Sequence, residues 1–139
     1  MKLTLHHVNL VTDDVPRAEA FWRDVMGLAR PTQGLPKLEK GRGYAGDVAF
    51  LSDGAIQTHL AQKDMGAGFR AGQFVNPVSR GHIAYRCDDL DAFIARLDAQ
   101  GVPYSDWGDQ AVQGWRQIFF YDPDGHVIEV HEVAPGAET

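Results

Sequence analysis

Cysteine is nearly absent from this chain: Cys87 is the single one among 139 residues. A lone thiol closes no internal disulfide, so a core must hold the fold, and the scarcity fits a reducing compartment. Cys87 itself reads as a small, inert, buried hydrophobe. Basic charge is also short, with 13 Lys and Arg against 19 Asp and Glu and a net charge of -6. The cations are scattered rather than gathered into a stripe, which argues against nucleic acid and anionic membrane as partners. No apolar run approaches the roughly 18 residues of a membrane-spanning helix, and the opening MKLTLHHVNL has neither a signal-like apolar stretch nor a small-residue cleavage site. The expectation is a cytoplasmic protein. What is present is 44% hydrophobic and 10% aromatic residues, enough to close one domain core.

The organising feature is an internal repeat. HVNLVTDD from His7 recurs as HIAYRCDD from His82, each copy running from a histidine through a strand-like stretch to an Asp pair. Apolar residues then follow at helical spacing: Val15, Ala18, Phe21, Trp22 and Val25 in the first copy, Leu90, Phe93, Ile94 and Leu97 in the second. Asp14 and Asp89 stand at N-cap positions, and Gly27 and Gly101 where left-handed residues end helices. VAFLSDGAIQTHL and IFFYDPDGHVIEV each read as two strands around an Asp-Gly turn. The units are therefore strand, helix, then two or three strands, over about 1–62 and 81–133, joined by a polar, Gly-rich connector over about 63–80. In the Gly- and Pro-rich stretch 29–47 a third strand is expected near Gly43 to Val48.

His7 and His82 open equivalent strands, so a pseudo-symmetric arrangement brings two imidazoles together. Glu129 lies between Ile128 and Val130, and alternation turns its carboxylate off the apolar face. Two imidazoles and a carboxylate with open positions suit one divalent Fe, Mn, Co, Ni or Zn ion. A fourth group falls on His59 or Thr58. A gap-free count from Asp-Gly favours Thr58, whereas parity puts Gln57, His59 and Ala61 on the face of Glu129 and favours His59. His131 shares that parity and is read as structural. His126 is expected in an exposed turn, and His6 on the face opposite His7. Phe50, Trp107, Trp115, Arg116, Gln117, Phe119 and Tyr121 are candidate substrate contacts, Arg116 through pairing with an anionic group.

H7-V-N-L-V-T-D-D with F21-W-R-D-V-M-G-L, then G81-H-I-A-Y-R-C-D-D-L-D, then F120-Y-D-P-D-G-H-V-I-E-V resemble the glyoxalase, bleomycin resistance and extradiol dioxygenase superfamily, also called vicinal oxygen chelate proteins. The resemblance implies an α+β fold of two tandem βαβββ modules forming an incomplete barrel around a metal, with ligands on His7, His82, Glu129 and His59. It implies chelation of a small-molecule substrate through two neighbouring oxygens. A lyase or isomerase similar to lactoylglutathione lyase, with Glu129 as base, is the leading expectation. An Fe(II)-dependent ring-cleaving dioxygenase, a fosfomycin-type epoxide-opening enzyme and a non-enzymatic bleomycin-type binder are the alternatives. Relatives of this length imply a homodimer, with His7 and His59 of one chain facing His82 and Glu129 of the other.

Overall fold

A computed structural model of the chain describes residues 1–40 and 44–137. The first half supplies β1 (Leu3–Thr12), α1 (Val15–Asp24), β2 (Val48–Ser52) and β3 (Gln57–Gln62). A short helix, α2 (Ala67–Ala71), follows in the connector. The second half supplies β4 (His82–Cys87), α3 (Leu90–Ala99), β5 (Ser105–Gly108), β6 (Trp115–Tyr121) and β7 (Val127–Val133).

Local chemistry sets the two long helices. Asp14 Oδ1 accepts the Arg17 amide at 3.1 Å and Asp89 Oδ1 accepts the Ala92 amide at 3.0 Å, each cap contributing about 1 kcal/mol. At the far ends Gly27 and Gly101 take φ of 74° and 68°, and the Leu28 and Val102 amides turn back to the Trp22 and Leu97 carbonyls. Both helices cover the same side of one mixed seven-stranded sheet of order β2-β3-β1-β4-β7-β6-β5. Val15, Ala18 and Trp22 of α1 pack on Ala49, Leu51 and Leu60. Leu90, Phe93 and Leu97 of α3 pack with Cys87, Ile118, Phe120 and Val130. Large side chains of this kind contribute about 1.5–3 kcal/mol each when fully buried. The opposite face of the sheet carries the polar residues.

Three details depart from the sequence pattern. Phe21 and Val25 share the helical spacing of α1 yet are 52% and 65% exposed, because the packed stripe is narrower than the apolar one. The expected strand near Gly43 to Val48 begins only at Val48; residues 44–47 are not strand, and Gly43 lies outside the described residues. Instead, Tyr44 anchors this stretch by donating its hydroxyl to the Gln62 carbonyl at 2.8 Å. Further back, Leu38 forms an antiparallel bridge with Val112, with the Glu39 amide donating to the Ala111 carbonyl and the Gln113 amide to the Lys37 carbonyl, both at 2.8 Å. This strap links the loop before edge strand β2 to the loop after edge strand β5.

Gly81 fixes the central seam. Its φ is +82°, and a Cβ there would lie 2.2 Å from the Asn9 carbonyl oxygen, where β1 and β4 pair through Asn9 and His82. Gly81→Ala is expected to cost at least about 2 kcal/mol in urea unfolding. Gly27→Ala, with similar φ but open space around it, should cost only about 1–2 kcal/mol. Equal losses would show that the close approach at Gly81 carries no penalty.

Candidate metal centre

Simple alternation along β1 would send His6 and His7 to opposite faces. The pairing with β4 slips between them, however, from Leu5 opposite Tyr85 to His7 opposite Ala84, and this bulge turns both rings to the same side. His6 accordingly meets His7, Trp115 and His131 edge-on, with centroids 5.0, 5.3 and 5.1 Å away. The expectation of opposite faces for the pair is thereby corrected.

Ala84 pairs with His7 on one side and with Glu129 on the other, so only a methyl group separates the two functional side chains along that row. His82 Nε2 lies 3.0 Å and His7 Nε2 3.6 Å from Glu129 Oε1. The three residues each offer a ligand atom, all within 4.8 Å of one another. His82 Nδ1 contacts the Pro77 carbonyl at 2.7 Å. A carbonyl only accepts, so Nδ1 carries a hydrogen and Nε2 is the atom turned to the carboxylate. The 3.0 Å contact between Nε2 and Oε1 needs positive charge between the two atoms, from a proton on Nε2 or from a metal ion in its place, and a histidine oriented by a backbone carbonyl is the usual outer support of a metal ligand. The donor set therefore fits a divalent ion.

A second layer stands behind the first. Arg86 Nε donates to His131 Nε2 at 3.1 Å, which leaves His131 Nδ1 to donate to Glu129 Oε2 at 2.7 Å. Arg86 Nη2 donates to His6 Nε2 at 3.0 Å, and His6 Nδ1 faces His7 Nδ1 at 2.7 Å. Because His6 Nε2 accepts, its Nδ1 donates to His7 Nδ1, and neutral His7 carries its own hydrogen on Nε2, toward Glu129 Oε1; an ion bound at His7 Nε2 would take that hydrogen's place. One guanidinium thus orients Glu129 and His7 through two imidazoles. Trp115 stacks on His131 at 4.1 Å and lies beneath Arg86 at 5.1 Å. Arg86 was absent from the sequence reading, although it shares the parity of His82.

Burial lowers the basicity of the imidazoles, His6 to about 3 with His7 and Arg86 contributing, and His59 and His7 likewise below the ordinary range. Burial alone would raise the Glu129 carboxyl. His7 and the hydrogen bonds from His131, His7 and His82 outweigh it and hold the group well below the usual carboxylate range.

Asn9 pairs with His59 as Ala84 pairs with Glu129, each two residues beyond the opening histidine. His59, not Thr58, is therefore the counterpart of Glu129 and faces the cup. Its ring stacks on His7 at 3.8 Å, yet it does not join the three-residue group. Gln57 donates its amide to the Gly34 carbonyl, so its Oε1 accepts from His59 Nε2 at 2.7 Å, which turns that nitrogen's hydrogen away from ligation.

Of the seven expected contact residues, Phe50, Trp107, Trp115, Gln117 and Phe119 line the cup. Arg116 does not: alternation along β6 turns it to the other side, where it binds Asp91 at 2.8 Å and Asp106 at 2.9 Å. Tyr121 ends β6 at the surface, 40% exposed, near Phe74. His126 is exposed and bonded to Asp122 within its own turn. Within the one chain described, His7 lies together with His82 and Glu129.

The sequence model of the Glyoxalase/Bleomycin resistance protein/Dioxygenase superfamily matches residues 4–130. The chain belongs to this superfamily. Protein YaeR of Escherichia coli K12 is 26% identical over 130 residues, covering 92% of this chain and 95% of the relative. Glutathione transferase FosA of Serratia marcescens is 26% identical over 135 residues, covering 94% and 82%. Among solved structures, methylmalonyl-CoA epimerase from Mycobacterium tuberculosis is similar, at 25% identity and a TM-score of 0.68, covering 94% of this chain and 88% of that one. The seven-stranded α+β sheet is thus a superfamily fold, and the superfamily includes enzymes. No helix among the described residues is long and apolar enough to cross a membrane.

The buried histidines set an acid limit. His6, His7 and His59 stay neutral in the fold, so below the ordinary histidine value of about 6.5 the unfolded chain binds more protons than the folded one. Stability of the chelator-treated protein should therefore rise with pH between about 5 and 6.5 and level off above. The slope is at most about 1.4 kcal/mol per pH unit for each histidine. Denaturant titrations across this range read it directly, and a flat or falling profile would contradict the neutral assignment.

Proposed function

We propose that this protein is a metal-dependent enzyme of the lyase or isomerase class, acting on a small substrate that chelates the ion through two neighbouring oxygens. The observation that carries the reading is the convergence of His82 Nε2 and His7 Nε2 on Glu129 Oε1, at 3.0 and 3.6 Å in a buried site. His7, His82 and Glu129 would hold one ion of Fe, Mn, Co, Ni or Zn. When bound, the ion supplies Lewis acidity that stabilises negative charge developing on a substrate oxygen.

The chain's own residues supply the rest. Glu129 is the proton acceptor, kept ionised and aimed by His131, which is aimed in turn by Arg86. His59, neutral and with its Nε2 hydrogen committed to Gln57, retains a free lone pair on Nδ1 as a second acceptor. Phe50, Trp107 and Phe119 keep water from the substrate. The similarity to an epimerase favours proton transfer beside a carbonyl over the other reactions open to this fold. A second reading, ring cleavage by an Fe(II) dioxygenase, draws on the 2-His-1-carboxylate character of the same three residues. In either case the working unit is proposed to be a homodimer in which each chain carries a whole cup.

After reconstitution the protein should hold one ion per chain by elemental analysis, whereas His82→Ala and Glu129→Ala should bind at least about 100-fold more weakly while keeping their circular dichroism. His59→Ala should keep the ion and lose turnover. Full occupancy in both ligand variants would sink the assignment. Solvent deuterium exchange into α-hydroxy ketones and acyl thioesters, beside oxygen uptake with catechols, separates proton transfer from the dioxygenase reading.

The intrachain cup makes its own forecast. Mixing His7→Ala chains with Glu129→Ala chains should restore neither metal nor activity after verified subunit exchange, because each chain lacks a ligand of its own. Recovery of half the sites would establish sharing between chains.

A further inference from the structure

Three buried polar atoms in the residues that line the cup have no hydrogen-bond partner: Asn9 Oδ1, Gln117 Oε1 and Trp115 Nε1. Their residues are 8%, 4% and 1% exposed. Each such atom left unsatisfied costs about 1–3 kcal/mol, and native proteins hold few of them. Their concentration around one cavity points to a ligand that completes them. Asn9 lies in register between His59 and His82, and Gln117 lies beside His131, so the unpartnered groups flank the candidate ligands on two sides.

The rest of the wall narrows the ligand's chemistry. Among the described residues no Lys or Arg lines the cup, and Glu129 is its single carboxylate. Leu38, Val48, Phe50, Trp107, Val112 and Phe119 make much of the remaining wall. The free volume is only about 70 Å³, which accommodates a compact molecule. An ionised group lying beyond the two chelating oxygens would be stripped of water with no opposite charge to meet it, at a cost of several kcal/mol. A hydroxyl would donate to the unpartnered oxygen of Asn9 or Gln117 and accept from the indole N–H, whereas a carbonyl, which only accepts, could meet the indole alone.

We infer that the substrate is a compact, uncharged hydroxy-carbonyl compound whose non-chelating hydroxyl donates to Asn9 or Gln117, with the Trp115 indole N–H as the donor beside them. This rests on the metal-chelating reading above and narrows it. The three residues are specificity determinants; the candidate metal ligands would accept charged and uncharged chelators alike.

The test uses the Co(II)-loaded full chain and three hydroxamates that share one chelating head and differ in the tail: glycolohydroxamate with a hydroxyl, propionohydroxamate with a methyl in its place, and malonomonohydroxamate with a carboxylate. Binding is followed by the visible cobalt spectrum. The hydroxyl tail should bind at least about 10-fold tighter than either of the others, the loss expected for one uncompensated buried hydrogen bond. In one of Gln117→Leu and Asn9→Leu, each checked for full cobalt content, that preference over the methyl tail should shrink, while propionohydroxamate binds as before. A carboxylate tail that binds as tightly as the hydroxyl, or a preference that survives both substitutions, overturns the inference alone. Failure to bind cobalt, or failure of all three hydroxamates to change its spectrum, overturns the metal reading and the inference with it.

Discussion

A carboxylate with 1% of its surface exposed, set in the middle of a β-sheet, is a charge that the rest of the molecule has to answer. Removing such a group from water costs several kcal/mol unless opposite charge and hydrogen bonds surround it. Glu129 is answered on one oxygen by His131 and on the other by His7 and His82. His131 is in turn held by Arg86. The β1 bulge, the small side chain of Ala84 and the carbonyl of Pro77 each serve to bring a nitrogen to that carboxylate in the required orientation.

Sequence reasoning recovered the features whose causes are local. Asp14 and Asp89 cap their helices because an aspartate three residues before an amide can reach it, and the two Asp-Gly hairpins formed where they were written. His7, His82 and Glu129 could be brought together on paper because the repeat supplies a symmetry and strand parity supplies a face. What escaped depends on long-range register. The bulge at His6 arises from pairing with β4, some eighty residues along the chain, and nothing next to the doublet announces it. Arg86 acquires its role only when β4 lies against β7. Arg116 shows the converse, since a cation beside a glycine suggested a substrate contact until alternation along β6 turned it toward Asp91 and Asp106. The stretches 29–40 and 44–47 were illegible because their partners, Ser52, the loop at Val112 and the Gln62 carbonyl that Tyr44 meets, are not encoded as a periodic pattern.

A shared fold and a shared ligand device do not specify a reaction. In this superfamily the name of a relative says little about what another member admits, and the discrimination lies with side chains that touch neither the helices nor the ion. Here that outer lining consists of amides, an indole and hydrocarbon. His59 occupies the position of a second carboxylate in the pseudo-symmetric frame, so the two halves of the cup are chemically unequal. A substrate bound between them meets an anionic side and a neutral one, which gives the site a polarity along the sheet.

The three candidate ligands stand at positions 7, 82 and 129 of the chain, and this spacing has a consequence for biosynthesis. During synthesis the first histidine emerges seconds before the glutamate, at ordinary rates of about 5–20 residues per second. In that interval β1 can pair with β3 but has no β4, leaving its central edge unprotected, and such edges recruit other chains. The metal pocket cannot exist until the last ligand strand has been made. On the proposed reading, ion capture would belong to the finished protein and not to the nascent one, and an ion held by all three ligands would not help the first half to fold.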